Sequence, residues 1–153
     1  MNKQNKRNKV FLKIAKCLSE LSNCKTRHTG AVLVRDNMII STGYNGTPKQ
    51  VLDCGDGGCE RCINRGPKDA GVNLNNCICV HAEENAIIQA AYNGISTRES
   101  VLYSVYKPCW YCLKSLINAG VFHVYYEKEY DAVPYPKELV MSPSMPMMEQ
   151  ISC

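Results

Sequence analysis

Apolar positions Val10, Leu12, Ile14, Cys17, Leu18 and Leu21 fall largely on one helical face, which predicts a helix over residues 9–22. The period then changes. Residues 31–34 and 38–42 are rich in strand-forming side chains and read as two short strands, with Arg35, Asp36 and Asn37 as the tight turn. "GYNGTP" closes this hairpin with loop formers. Residues 49–76 show no period and read as loop, which is unusually long for a compact domain unless something ties it down. "HAEENAIIQAAYNG" returns to helix and stops at Asn93-Gly94. "SVLYSVY" is a strand, "PCWYCLKSLINAG" a helix opened by Pro108 and ended by Gly120, and "VFHVYYE" a strand. Beyond them "KELVMS" could form a short edge strand, and the rest of the Pro- and Met-containing tail carries no periodic signal.

Helices alternating with strands in the second half imply parallel pairing through crossovers. The expected fold class is α/β: a three-layer α/β/α sandwich around a mixed central sheet of about five strands. The expected organisation is a basic, flexible arm at residues 1–8, one domain at 9–130, and a tail at 131–153 that is either disordered or an interface arm.

A chain of 153 residues with 45% apolar content is long enough for one domain with a real core. No apolar run approaches the roughly 20 residues that cross a bilayer. "MNKQNKRNK" is basic, but no apolar stretch of the signal-peptide kind follows it, so a cytoplasmic or nuclear setting is expected. The net charge of +4 is mild, sits partly in that first segment, and forms no basic stripe with interleaved aromatics. Nucleic acid is therefore not the expected partner. Ten cysteines change the picture more. With C-x-x-C, C-x-x-C and C-x-C spacings and no secretory signal, they read as metal ligands rather than disulfides.

His81 and Glu83 stand at one predicted helix start, Cys109 and Cys112 at another. Cys109 and Cys112 lie one turn apart, where the helix dipole favours thiolate over thiol. Zinc on His81, Cys109 and Cys112 has three protein ligands and a fourth position for water, the arrangement of a catalytic rather than a structural site. Zinc brings the pKa of that water towards neutrality, and Glu83, not needed as a ligand, can shuttle its proton. H-x-E followed by P-C-x-x-C is the signature of zinc-dependent nucleobase deaminases. The expected chemistry is attack of a zinc-bound hydroxide on cytosine C4, with Glu83 protonating N3 and then the departing ammonia; on adenine the attack falls at C6. The bland alternative is a closed Cys/His zinc knuckle with Glu83 as an ordinary first-turn acid.

"TGAVLVRDNMIISTGYNGTP", "HAEENAI", "LYSVYKPCWYCLKSLINAGV" and "VYYEKEY" together resemble the zinc-dependent cytidine/deoxycytidylate deaminase family, in particular its deoxycytidylate (dCMP) deaminases, over residues 22–130. The resemblance implies a cytidine-deaminase-like fold, dCMP as substrate and dUMP as a product feeding thymidylate synthesis. It also implies a homo-oligomer built from dimers, up to a hexamer, and control by dCTP with magnesium and by dTTP. Asn45 in "GYNG" matches the family Asn that bonds the sugar, a plain turn residue being its other reading. The Ala82 backbone would face the pyrimidine edge. Arg27 matches a basic position suited to the phosphate, with a solvated surface Arg as its other reading. Tyr106 and Lys107 border the mouth. His28 and His123 receive no role. Some family members hold a second, structural zinc, at positions that match Cys24, Cys54 and Cys79, with Cys62 or Cys59 completing the set. Cys77 reads as a spare thiol, although the six thiols could also hold more than one ion. Tyr92 stands where many members carry a basic residue tied to subunit contacts and nucleotide control, Thr29 replaces a usual Val, and the tail after Tyr130 departs from the pattern.

Other readings stay open at this stage. The substrate could be dCTP, deoxycytidine, or a base in tRNA or single-stranded nucleic acid. The chain could also be a noncatalytic zinc module that binds a partner.

Overall fold

The computed structural model describes residues 2–66, 69, 71–130 and 133–153. Helix α1 spans Lys3–Ser19, so the basic segment expected as a flexible arm is its first two turns. Asn2 caps it by accepting a hydrogen bond from the Asn5 N–H at 2.8 Å. Within that segment Asn8 is buried and accepts from the Tyr103 hydroxyl at 2.8 Å. Polar side chains hid this part of the helix from a search for apolar periodicity. The helix also ends earlier than expected, with Glu20 as its C-terminal cap.

Strands β1 (Gly30–Arg35) and β2 (Met38–Tyr44) form the expected hairpin. Its two turn residues, Asp36 and Asn37, both have positive φ, 53° and 61°, as the right-handed twist of a two-residue hairpin demands. The loop after β2 contains one short helix, α2 (Glu60–Ile63), flanked by 3-10 turns at Cys54–Asp56 and Leu74–Asn76. Then follow α3 (Ala82–Tyr92), β3 (Ser100–Tyr106), α4 (Trp110–Asn118) and β4 (Val121–Lys128). "KELVMS" is not a strand: Lys137–Val140 form the short helix α5, and the edge strand is β5 (Met147–Gln150). Pro136 fixes the entry to α5, whereas β5 gains its structure by pairing with β4.

The sheet order is β2-β1-β3-β4-β5. The two pairs made by β1 are antiparallel, while β3–β4 and β4–β5 are parallel. It is thus the mixed five-stranded sheet expected, with α4 as the crossover between β3 and β4.

Alternation along the strands builds a core on each face. Val32, Val34 and Tyr103 pack with Phe11, Ile14, Ala15 and Leu18 of α1. Ala31, Leu33, Leu102, Val124 and Tyr126 pack with Ala82, Ala86 and Leu116 from α3 and α4. Burying one such Leu fully is worth about 1.5–3 kcal/mol. Close approach on the second face depends on Gly43, where a Cβ would lie 2.2 Å from the Ala82 carbonyl oxygen and 2.5 Å from the Ala86 nitrogen. Strand β2 can therefore touch the α3 backbone directly. Among the described residues no helix is long and apolar enough to cross a membrane.

Candidate active site

His81 is the N-terminal cap of α3 and Cys109 that of α4. The structure refines the expected helix start here: Pro108 precedes the cap instead of opening the helix. Glu83 and Cys112 sit in the first turns of the same two helices, so both N-termini converge on one point. The segment before His81 is pinned by a two-way backbone bridge between Gly46 and Val80, at 3.2 and 2.8 Å.

At that point Cys109 Sγ and Cys112 Sγ lie 3.4 and 3.3 Å from His81 Nδ1. Donor atoms of a zinc tetrahedron with these ligand types are separated by about 3.5 Å. The chemistry of the set also fits a cation. The Cys109 thiolate beside it holds the His81 imidazole up to about 9 against the opposing effect of burial. Cys109 is itself drawn down to about 4, first by the Cys112 thiol and then by His81, while Cys112 is pushed up. A divalent cation bound at this point would displace the protons these donors compete for, since metal ligands must be deprotonated.

Glu83 is not part of the donor triangle. It is 4% exposed, and its Oε2 lies 3.7 Å from Cys112 Sγ. Its Oε1 accepts from the Ser104 hydroxyl on β3 at 3.2 Å. Burial pushes its carboxyl above the usual carboxylate range. A buried carboxyl raised in this way holds a proton more readily than an exposed one, as a proton-shuttling group requires.

A cavity borders His81, Glu83 and Cys109 and is lined also by Arg27, Asn45 and Tyr106. Arg27 lies between two rings, its guanidinium carbon 4.8 Å from the Tyr106 centroid and 4.4 Å from that of Tyr130. It is thus a held planar cation rather than a free surface Arg. Asn45 is a strut as well as a wall residue. Its Oδ1 accepts from the Thr29 N–H and the Ser22 hydroxyl, both at 2.8 Å, and its Nδ2 donates to the Arg27 carbonyl at 2.7 Å. Ala82, the first residue of α3, lies in the core with its side chain fully buried. Arg61, Arg65 and Tyr130 line the same cavity and were not expected there, and Lys107, expected at the mouth, lines it as well. Nothing in the spacing of Arg61 and Arg65 announced them, because their loop has no periodic pattern and packs around a cluster of thiols.

Those thiols form a second cluster beside the first. Cys24, Cys54, Cys62 and Cys79 come together, all buried, so Cys62 completes the expected set of four. Cys59 joins a different set, with Cys62, Cys77 and Cys79, so Cys77, the thiol read as spare, lies within ligand distance of three others. Hydrogen bonding, first of all with Cys79, draws Cys24 down to about 4 and Cys77 to about 5.

Sheet, helices, donor set and buried carboxyl together give the arrangement characteristic of the zinc-dependent nucleobase deaminases. Residues 5–128 match the family described as the cytidine and deoxycytidylate deaminase zinc-binding region. The chain belongs to the cytidine and deoxycytidylate deaminase family. It is 34% identical over 141 residues to the deoxycytidylate deaminase of Schizosaccharomyces pombe, covering 92% of this chain and 43% of that protein. It is 39% identical over 120 residues to that of Saccharomyces cerevisiae, covering 78% of this chain and 37% of that protein. The chain thus spans less than half the length of these relatives. The dCMP deaminase of cyanophage S-TIM5, solved in complex with dCMP and dUMP, superposes with a TM-score of 0.73 at 29% identity, covering 99% of each chain.

Proposed function

We propose that this protein hydrolyses dCMP to dUMP and ammonia, and so supplies dUMP for thymidylate synthesis. The observation that carries the reading is the buried Glu83, oriented by Ser104 beside the His81, Cys109 and Cys112 donors. His81, Cys109 and Cys112 would hold zinc, which when bound acidifies a water and polarises it for attack. Glu83 takes a proton from the attacking water and gives it to N3 of the cytosine ring. It then takes the proton of the new C4 hydroxyl and delivers it to the exocyclic nitrogen, so that the C4–N bond breaks, ammonia leaves and the C4 carbonyl forms. Ser104 keeps the carboxyl aimed through both transfers. Likeness to the cyanophage enzyme, whose structure holds dCMP and dUMP, supports the choice of nucleotide.

Arg27, held between Tyr106 and Tyr130, is the cation this reading assigns to the phosphate, with Arg61, Arg65 and Lys107 on the same cavity. Asn45 offers its remaining amide N–H to the sugar, and the Ala82 backbone faces the pyrimidine edge. Cys24, Cys54, Cys62 and Cys79 hold a second, structural zinc. Thiolate ligands of this kind suit the reducing cytoplasm. A homo-oligomer and control by dCTP with magnesium belong to the same reading. Exposed Tyr44, Ile88 and Tyr92 line one cleft against β2 and α3, and support a contact between subunits there.

The test is ammonia release from dCMP, dCTP, deoxycytidine and a short single-stranded DNA by zinc-loaded protein, with Glu83→Gln beside it and dCTP plus magnesium added in a parallel set. Turnover of dCMP, lost in Glu83→Gln while zinc is retained, is expected. Turnover of another substrate alone would keep the chemistry and overturn the substrate. A zinc-retaining Glu83→Gln as active as the parent protein would overturn the mechanism.

A further inference from the structure

Six sulfurs lie in one contiguous group outside the catalytic donors: Cys24, Cys54, Cys59, Cys62, Cys77 and Cys79. All are free thiols, five buried and Cys77 partly so. They divide into two sets of four, and within each set every sulfur lies within 4.8 Å of the others. One set is Cys24, Cys54, Cys62 and Cys79, the other Cys59, Cys62, Cys77 and Cys79. Cys62 and Cys79 belong to both.

The spacings are those of ligands on a common ion. Cys77 Sγ lies 3.8 Å from Cys62 Sγ and 3.9 Å from Cys59 Sγ. With zinc–sulfur bonds of about 2.3 Å, the edge of a zinc–thiolate tetrahedron is about 3.8 Å. A disulfide would need its sulfurs at about 2.05 Å. One ion on the first set would leave Cys59 and Cys77 as two thiols pressed against the thiolates of that site. Two ions give every sulfur a metal and require the shared pair that the geometry supplies. All-sulfur tetrahedral sites favour zinc among divalent ions. Two dications against six thiolates leave an excess of negative charge, and the Lys25 backbone N–H points at Cys54 Sγ at 3.4 Å.

We propose that this cluster is a binuclear zinc–thiolate site: Cys24 and Cys54 hold one ion, Cys59 and Cys77 the other, and Cys62 and Cys79 bridge the two. It extends the reading of the cluster as a structural metal site and does not depend on the substrate. Each ion fastens different parts of the chain. The first ties the segment after α1 to the start of the loop, and the second ties the start of α2, at its cap Cys59, to the approach to His81.

Native mass spectrometry of the 153-residue chain, reduced and loaded with zinc, counts the ions. Three per chain are expected, falling to two both in the Cys59→Ser/Cys77→Ser variant and in His81→Ala. Cadmium-113 substitution of the parent protein should give two cluster resonances coupled through the bridging sulfurs. That readout needs no variant to fold. Two ions in the parent protein, still two in Cys59→Ser/Cys77→Ser and one in His81→Ala, would overturn the binuclear site and leave a single structural ion. One ion in the parent protein, or disulfides within the cluster of the reduced sample, would overturn both. A His81→Ala count equal to that of the parent protein would instead defeat the catalytic-site reading, while a cadmium spectrum with coupled resonances still upheld the cluster.

Discussion

The Ser104 hydroxyl, on the central strand β3, donates to Glu83 Oε1 at 3.2 Å, across the sheet–helix boundary. Both groups are buried, so the bond is shielded from water. It fixes one carboxyl oxygen and leaves the other towards the metal donors. A hydrogen bond to a charged group contributes about 1.5–3 kcal/mol. Ser104→Ala should therefore lower kcat for dCMP by roughly 10- to 100-fold. Zinc content should be unchanged, because Ser104 is not part of the donor set, and steady-state kinetics with metal analysis checks both points.

Arg27→Lys keeps the charge and removes the plane that stacks between Tyr106 and Tyr130. The cation then loses its fixed position over the cavity. KM for dCMP should rise about tenfold, with kcat little changed and the discrimination between dCMP and deoxycytidine reduced. Comparing kcat/KM for the two substrates reads this directly.

At Gly43 a methyl group would meet backbone atoms of Ala82 and Ala86, which cannot rotate away. Gly43→Ala should push back the first turn of α3, which carries Glu83 and follows directly on His81. Overpacking of this kind costs about 1–3 kcal/mol. A lower melting temperature is expected together with a fall in kcat, seen by calorimetry and turnover on one preparation.

Asn8→Ala would leave the Tyr103 hydroxyl buried without its acceptor. The expected loss is about 1–3 kcal/mol of folding stability, with KM for dCMP unchanged, since α1 packs on the face of the sheet away from α3 and α4. Urea denaturation measures it. A null effect would mean that the first turns of α1 contribute nothing to the core.

The difference between Asn8 and His81 shows what was legible in the chain. His81, Glu83, Cys109 and Cys112 could be read because their chemistry depends on local helix-start geometry, which spacing encodes. The β1–β2 hairpin was legible for the same reason, through Asp36 and Asn37. Asn8 was not, because its value comes from a tyrosine far along the chain. Strand β5 was not, because "MMEQ" becomes a strand by adding to the edge of β4. Arg61 and Arg65 were hidden for a third reason: their loop has no periodic pattern and packs around a cluster of thiols.

That loop has an unusual interior. Among the described residues its buried centre is a cluster of cysteines, with no Leu, Ile or Val cluster beside it. The sheet can stand on its two apolar faces, but the wall that brings Arg61 and Arg65 to the cavity stands on sulfur. Under the proposed zinc–thiolate reading, loss of zinc or oxidation of these thiols would loosen the Arg61 and Arg65 side of this pocket while the sheet still held.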